Sequence, residues 1–132
     1  MKAVVATHQH EEHVGNLAWA AATTGAPVHL GRETAALLAA PAAIPAMRAA
    51  IIGQPPAFSA PPQALEVGGE LACDGGSLRV LAAPGHCPDH VVLYDAAERV
   101  LLAGDAFMGV HFATPNPDVD SRAWIESLDR LL

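Results

Sequence analysis

The sequence predicts an α/β fold in which a mixed β-sheet is flanked by helices. Two observations lead to this prediction. Strand-like and helical segments alternate in the first half of the chain, and short, closely spaced β-type segments follow from Leu65 onward. The length of 132 residues suits one domain, so we expect residues 1–132 to form a single one. With 52% hydrophobic residues, the chain also has the composition of a folded protein.

The first half begins with a short apolar strand that leads into a cluster of His residues. Gly25 is a typical stop for the helix before it, since glycine readily adopts the left-handed conformation that ends helices. Residues 41–64 contain six prolines, so we expect a Pro-rich excursion there, with a turn of helix at 46–52. The other predicted elements are a strand over 3–6, a helix over 16–24, a strand over 27–30 and a helix over 32–40.

The second half consists of β-type segments joined by short turns and ends in an amphipathic helix. Asp120 is a typical N-cap residue for that helix, whose apolar residues recur at helical spacing. The predicted elements are strands over 65–67, 70–73, 77–83, 90–94 and 99–103 and a helix over 121–132.

Charge and composition exclude several classes of partner. Acidic residues outnumber basic ones by 14 to 7, and the basic residues are scattered, which argues against nucleic acid and against an anionic membrane surface. Two cysteines cannot build a disulfide framework, and no apolar segment is long enough for a signal peptide or a membrane span. We therefore expect a soluble, cytoplasmic protein.

The first motif with chemical content is Thr7-His8-Gln9-His10-Glu11-Glu12-His13, which directly follows the first strand. On an extended segment, residues two apart point to one side, so His8 and His10 can bind one metal ion through their imidazole nitrogens. Glu12 and His13 follow at once and can hold a second ion. The alternative is a polar turn that only faces water, but three His and two Glu within six residues favour a metal site.

Two further motifs follow strands of the second half: Pro84-Gly85-His86-Cys87-Pro88-Asp89-His90, and Gly104-Asp105. If the three strands around them run antiparallel, His86, His90 and Asp105 lie at one edge of the sheet. Each motif stands where a strand passes into a loop, the place where functional residues concentrate. We therefore expect these side chains to converge.

These residues resemble a known family. THQHEEH is similar to the HxHxDH signature of the metallo-β-lactamase superfamily, PGHCPDH to its third-ligand motif, and LLAGDAF to its bridging-aspartate motif. The resemblance implies part of a four-layer αββα sandwich. It also implies that His8, His10 and His86 bind a first metal ion, that Glu12 and His13 bind a second, and that Asp105 bridges both.

The sequence departs from the family pattern in two places. Glu12 stands where the family usually has Asp, and its longer side chain displaces the carboxylate by up to roughly 1.5 Å. The family's last His ligand comes from a later strand, and strands also precede the first motif, so we expect a domain truncated at both ends. The first site should therefore bind metal more tightly than the second, and an uncovered apolar face should lead to self-association.

The resemblance implies a hydrolase in which a metal-activated hydroxide attacks an ester, thioester, lactone, lactam or phosphoester. Zinc, as one or two ions, suits the His-rich ligand set, and iron or manganese are the alternatives. Two other functions stay open: a mononuclear iron dioxygenase that acts on a sulfur substrate, and an inactive fragment that retains the fold.

The remaining His and Cys residues have simpler interpretations. We expect Cys73, Cys87 and His29 to serve packing. His90 either orients the site or only begins a strand, and His111 borders the substrate mouth, an expectation based on its position in a loop.

Overall fold

The fold is seen in a computed structural model that describes residues 3–40, 46–52, 61–108 and 117–132. The chain divides into two compact units, Met1–Ala64 and Leu65–Leu132. Both combine strands with helices, and one sheet contains a parallel strand pair while the other is antiparallel. The predicted α/β class, with mixed strand pairing and flanking helices, is therefore confirmed. The described residues include no helix that is long and apolar enough to cross a membrane.

The first unit is built on a three-stranded sheet with the order β1-β2-β3. Strands β1 and β2 are parallel, with Val4 opposite Val28 and Ala6 opposite Leu30. The elements are β1 (Val4–Ala6), α1 (Glu11–Val14), α2 (Leu17–Thr24), β2 (Val28–Gly31), α3 (Arg32–Ala39), α4 (Ala46–Ile52) and β3 (Gln63–Leu65). The buried core consists of Ala6, Val14, Leu17, Val28, Leu30 and Leu38.

The second unit is an antiparallel four-stranded sheet with the order β4-β5-β6-β7. Val80 pairs with Leu93 across β5 and β6, and Leu93 pairs with Leu102 across β6 and β7. The elements are β4 (Glu70–Cys73), β5 (Gly76–Ala82), β6 (Val91–Asp95), β7 (Val100–Leu102), a 3-10 turn (Gly104–Ala106) and α5 (Ser121–Leu131). Ala83, Val92 and Ala106 are buried together here, with Leu81 and Leu131 packed against them.

Most predicted elements lie within one or two residues of their observed positions. Gly25 ends α2 with a φ of +66°, and the Asp120 side chain accepts hydrogen bonds from the Arg122 and Ala123 backbone amides. The helical turn at 46–52 is also confirmed, whereas residues 41–45 and 53–60 of the Pro-rich excursion lie outside the described residues. The single-domain organisation stays a prediction.

Two local predictions need correction. The strand predicted over 65–67 is observed as β3 at 63–65, because the chain turns at Gly68, whose φ is +83°. The segment after β1 is not an extended strand, since residues 7–9 bend and α1 follows them. The His10 carbonyl accepts hydrogen bonds from the His13 and Val14 amides, and these bonds close the turn.

Candidate metal centre

In the first unit, two imidazoles present nitrogen atoms to each other. His8 Nε2 lies 3.1 Å from His10 Nδ1, and both residues are buried. Two ligands of one tetrahedral zinc ion, each about 2.0–2.1 Å from it, stand about 3.3 Å apart. The spacing of this pair therefore suits two ligands of one ion, and the predicted proximity of His8 and His10 is confirmed.

The turn after β1 brings a third imidazole to the pair. His10 is the residue before α1, with an extended ψ of 147°, so the chain reverses there and α1 begins. As a result, the centroid of the His13 ring lies 4.1 Å from that of His8. Glu12, on the same helical turn, is exposed, whereas its neighbour Glu11 is buried. The ligand roles predicted for Glu12 and His13 stay predictions.

The Nδ1 atom of His8 has a hydrogen-bond partner, Thr7, for which the sequence predicted no role. Thr7 Oγ1 lies 3.0 Å from His8 Nδ1 and forms a hydrogen bond with it. A His ligand commonly uses its second nitrogen in this way, which fixes the orientation of the ring. With Nδ1 engaged by Thr7, Nε2 is the nitrogen of His8 that faces His10. The available signal in the sequence was the position of Thr7, at the start of the motif and directly before His8.

In the second unit, the structure brings the His86 motif and the Asp105 motif together. His86 Nε2 lies 3.5 Å from Asp105 Oδ2, again close to the separation of two ligands on one ion. His86 is buried in the loop between β5 and β6, and Asp105 lies in the 3-10 turn after β7. The predicted antiparallel course of these strands, which places both loops at one edge of the sheet, is confirmed.

His90 lies directly behind Asp105. The backbone amide of Asp105 donates a hydrogen bond of 3.1 Å to His90 Nε2, and His90 is 1% exposed. An accepting Nε2 requires the proton of the neutral ring to lie on Nδ1. The sequence left two roles open for His90, orienting the site or only beginning a strand. The structure shows a hydrogen bond to the Asp105 loop, and β6 begins one residue later, at Val91.

Cys87 and His29 fit the packing roles predicted for them. Cys87 is fully buried; burial, followed by the nearby Asp89 charge, raises the pKa of its thiol, which keeps it protonated. A fully buried, protonated thiol packs as a small apolar side chain does. His29 lies in β2, and burial lowers the pKa of its imidazole. His111, predicted to border the substrate mouth, lies outside the described residues.

Comparisons with known proteins agree with these motifs. A family model described as the metallo-beta-lactamase superfamily matches residues 1–132. The beta-lactamase-like protein 2 homolog of Caenorhabditis elegans is 45% identical over 42 residues, which are 32% of this chain and 14% of that protein.

Solved structures share the fold over almost the whole chain. TTHA1623, crystallised in a di-iron-bound form, is 30% identical with a TM-score of 0.75, covering 98% of this chain and 62% of that one. The BLEG-1 B3 metallo-beta-lactamase is 25% identical with a TM-score of 0.79, covering 97% of this chain and 61% of that one. The chain thus spans about six-tenths of their length. Because the family model covers all 132 residues, the chain belongs to the metallo-β-lactamase superfamily.

Proposed function

We propose that this chain carries the metal-binding motifs of a metal-dependent hydrolase that cleaves an ester, thioester, lactone, lactam or phosphoester in a small molecule. The observation that carries the proposal is the spacing of donor atoms within each unit. His8 and His10 stand 3.1 Å apart, and His86 and Asp105 stand 3.5 Å apart. Family membership over residues 1–132 supports the same chemistry.

In this proposal His8, His10, His86 and Asp105 bind the first ion. The donor set fits zinc, which prefers imidazole nitrogen and carboxylate oxygen. Glu12 and His13, with Asp105, are the proposed ligands of a second ion. When bound, zinc would lower the pKa of a coordinated water molecule to about 7 and polarise the bond to be cleaved.

In this proposal the chain's own residues bind the ion, orient the attacking water and fix the positions of the ligands. The Asp105 carboxylate is half-buried. In this proposal its oxygens accept a hydrogen bond from the attacking water and direct it. Thr7 holds the His8 ring, and His90 holds the backbone of Asp105. These contacts limit the reorganisation that binding and reaction require.

Zinc is the proposed metal, with iron or manganese as the alternatives. Imidazole and carboxylate ligands bind all three, so the donor set alone does not distinguish them. The di-iron form of TTHA1623 supports iron as the first alternative. Metal analysis of the purified chain by mass spectrometry distinguishes the three.

Calorimetric titration of the metal-free 132-residue chain tests the site. We expect one tight zinc ion per chain, lost in His86→Ala and little changed in His13→Ala. Gln9→Ala, between the two His residues of the first motif, is the matched control and should bind like the parent. Absence of tight zinc binding would contradict the proposal, and two equally tight ions would contradict a weak second site.

Hydrolysis is tested with the zinc-loaded chain on one substrate of each of the five classes. We expect at least one class to be cleaved, with loss of the activity in Asp105→Asn and retention in Glu98→Gln, an exposed turn residue. A fully zinc-loaded chain that cleaves none of them would contradict the hydrolase. So would oxygen consumption by the iron-loaded chain with a persulfide, the result expected of a sulfur dioxygenase.

A further inference from the structure

One side chain of α5 contacts both metal-ligand loops of the second unit. Trp124 Nε1 donates a 2.8 Å hydrogen bond to the carbonyl of Ala106, the residue after Asp105. The same indole meets the His86 imidazole edge-on, with ring centroids 5.5 Å apart and planes at 78°. Trp124 thus links two loops that are separated in sequence by β6 and β7.

The backbone of α5 lies directly against the loop that carries His86. A Cβ atom built at Gly85 would stand 2.3 Å from Trp124 Cα and 2.5 Å from Trp124 N, so only glycine permits this approach. The Asp120 amide, at the start of α5, donates a 2.8 Å hydrogen bond to the Gly85 carbonyl. The residue before His86 is therefore fixed by both packing and a hydrogen bond.

A third contact lies one turn further along α5. Ser127 is fully buried, and its hydroxyl donates a 2.7 Å hydrogen bond to the Pro84 carbonyl. Arg130 Nη2 in turn donates to Ser127 Oγ at 2.9 Å. Residues 120, 124 and 127 share one side of the helix, as expected for this spacing. From that side, α5 contacts three consecutive residues of the loop, 84, 85 and 86.

We infer that Trp124 is a positioning residue, through which α5 sets the orientation of His86 and the place of Asp105. The loops at 83–90 and 103–106 lie outside the strands of the sheet, and Trp124 contacts both of them, so this contact bears on where their side chains point. Fixing the spacing of His86 Nε2 and Asp105 Oδ2 prepares two ligands in advance. The consequence for metal binding rests on the proposed function, whereas the consequence for the two loops does not.

The variant Trp124→Phe separates the two contacts of the indole. It keeps a ring beside His86 and Gly85 but removes the donor to the Ala106 carbonyl. In the metal-free 132-residue chain, nuclear magnetic resonance reports the His86 ring and the Asp105 amide directly. We expect both signals to shift in Trp124→Phe, while the His29 ring, in β2, serves as the unchanged reference. Unchanged His86 and Asp105 signals would overturn the inference.

Zinc affinity, measured by competition with a chromophoric chelator, is the second readout. Loss of a contact that orients a ligand typically weakens metal binding about 10–100-fold. Ile125→Ala, at the exposed neighbour of Trp124, is the matched control on α5, and Val80→Ala is a core variant in β5 that lowers stability alone. We expect weakened binding in Trp124→Phe beyond that of both controls, and equal affinity in all three would overturn the inference.

The two readouts also separate this inference from the proposed function. A parent chain that binds no zinc contradicts the proposed metal site, and the magnetic resonance comparison still decides the role of Trp124. A parent chain that binds zinc, with Trp124→Phe indistinguishable from it in both readouts, contradicts the positioning role alone.

Discussion

The substitution Gly85→Ala probes the contact between α5 and the loop that carries His86. Gly85 has a φ of +142°, a backbone conformation that residues other than glycine rarely adopt. The added methyl group would also lie 2.3–2.5 Å from three atoms of Trp124, two of them in the backbone of α5. Since a backbone cannot rotate away as a flexible side chain does, either the helix or the loop must move.

The expected cost has two parts. Backbone strain at such a φ costs about 1–3 kcal/mol, and forcing a methyl group into a packed contact costs about 1–3 kcal/mol more. The free energy of unfolding should therefore fall by about 2–6 kcal/mol, which is a large fraction of the 5–15 kcal/mol typical of folded domains. Because the displaced loop carries His86, zinc affinity should fall as well.

Gly75→Ala is the matched control for backbone strain. Gly75 has a φ of +92°, but a Cβ atom there would meet nothing within 4 Å. Urea unfolding of both variants should show Gly85→Ala to be less stable than Gly75→Ala by about 1–3 kcal/mol, the part due to the overlap with α5. Equal destabilisation of the two variants would refute the close contact between Gly85 and Trp124.

Four further predictions concern separate parts of the chain. His90→Gln, which keeps an acceptor for the Asp105 amide, should retain more zinc affinity than His90→Leu; equal loss in both would contradict the role of that hydrogen bond. An alkylating reagent at pH 8 should modify Cys73 well before the fully buried Cys87, and peptide mapping that finds Cys87 first would contradict its enclosure. Burial lowers the pKa of the His29 imidazole below its ordinary 6.5. The free energy of unfolding should therefore fall as the pH drops below 6.5, because the imidazole of the unfolded chain binds a proton before that of the folded chain does. Denaturant unfolding from pH 7 to 5 should show a shallower decline in His29→Gln, and identical slopes would contradict this. All three residues of β7 are exposed and apolar, so analytical ultracentrifugation should detect self-association that a Leu101→Lys variant reduces; a monomeric parent chain would contradict it.

Local sequence signals predicted the secondary structure well where they were strong. β4 was predicted at its observed bounds, and α5 differs by one residue at its end, since Asp120 marks its start and an apolar stripe marks its length. The helical turn α1 was not predicted, because its four residues are three charged or polar side chains and one Val, too few for any periodicity. The shift of β3 has a similar cause, as three residues carry little pattern.

The two donor pairs differed in how far the sequence could predict them. His8 and His10 are two residues apart, so their proximity follows from the chain itself, although the chain there bends rather than extends. His86 and Asp105 are brought together by the antiparallel course of β5, β6 and β7, which the turn positions indicated. The contacts of Trp124 had no such signal, because its place in an apolar stripe is equally typical of simple packing.

The different origins of the two pairs also determine which changes should disturb them. The His8 and His10 pair is held by neighbours in sequence, namely Thr7 and the turn that begins α1, so distant substitutions should affect it little. The His86 and Asp105 pair depends on α5, whose contacts to Pro84, Gly85 and Ala106 span 18 to 43 residues along the chain. Such long-range contacts form only when the whole unit is folded, since each must overcome the entropy of closing a long loop. Partial unfolding of α5 should therefore separate His86 from Asp105 while leaving His8 beside His10.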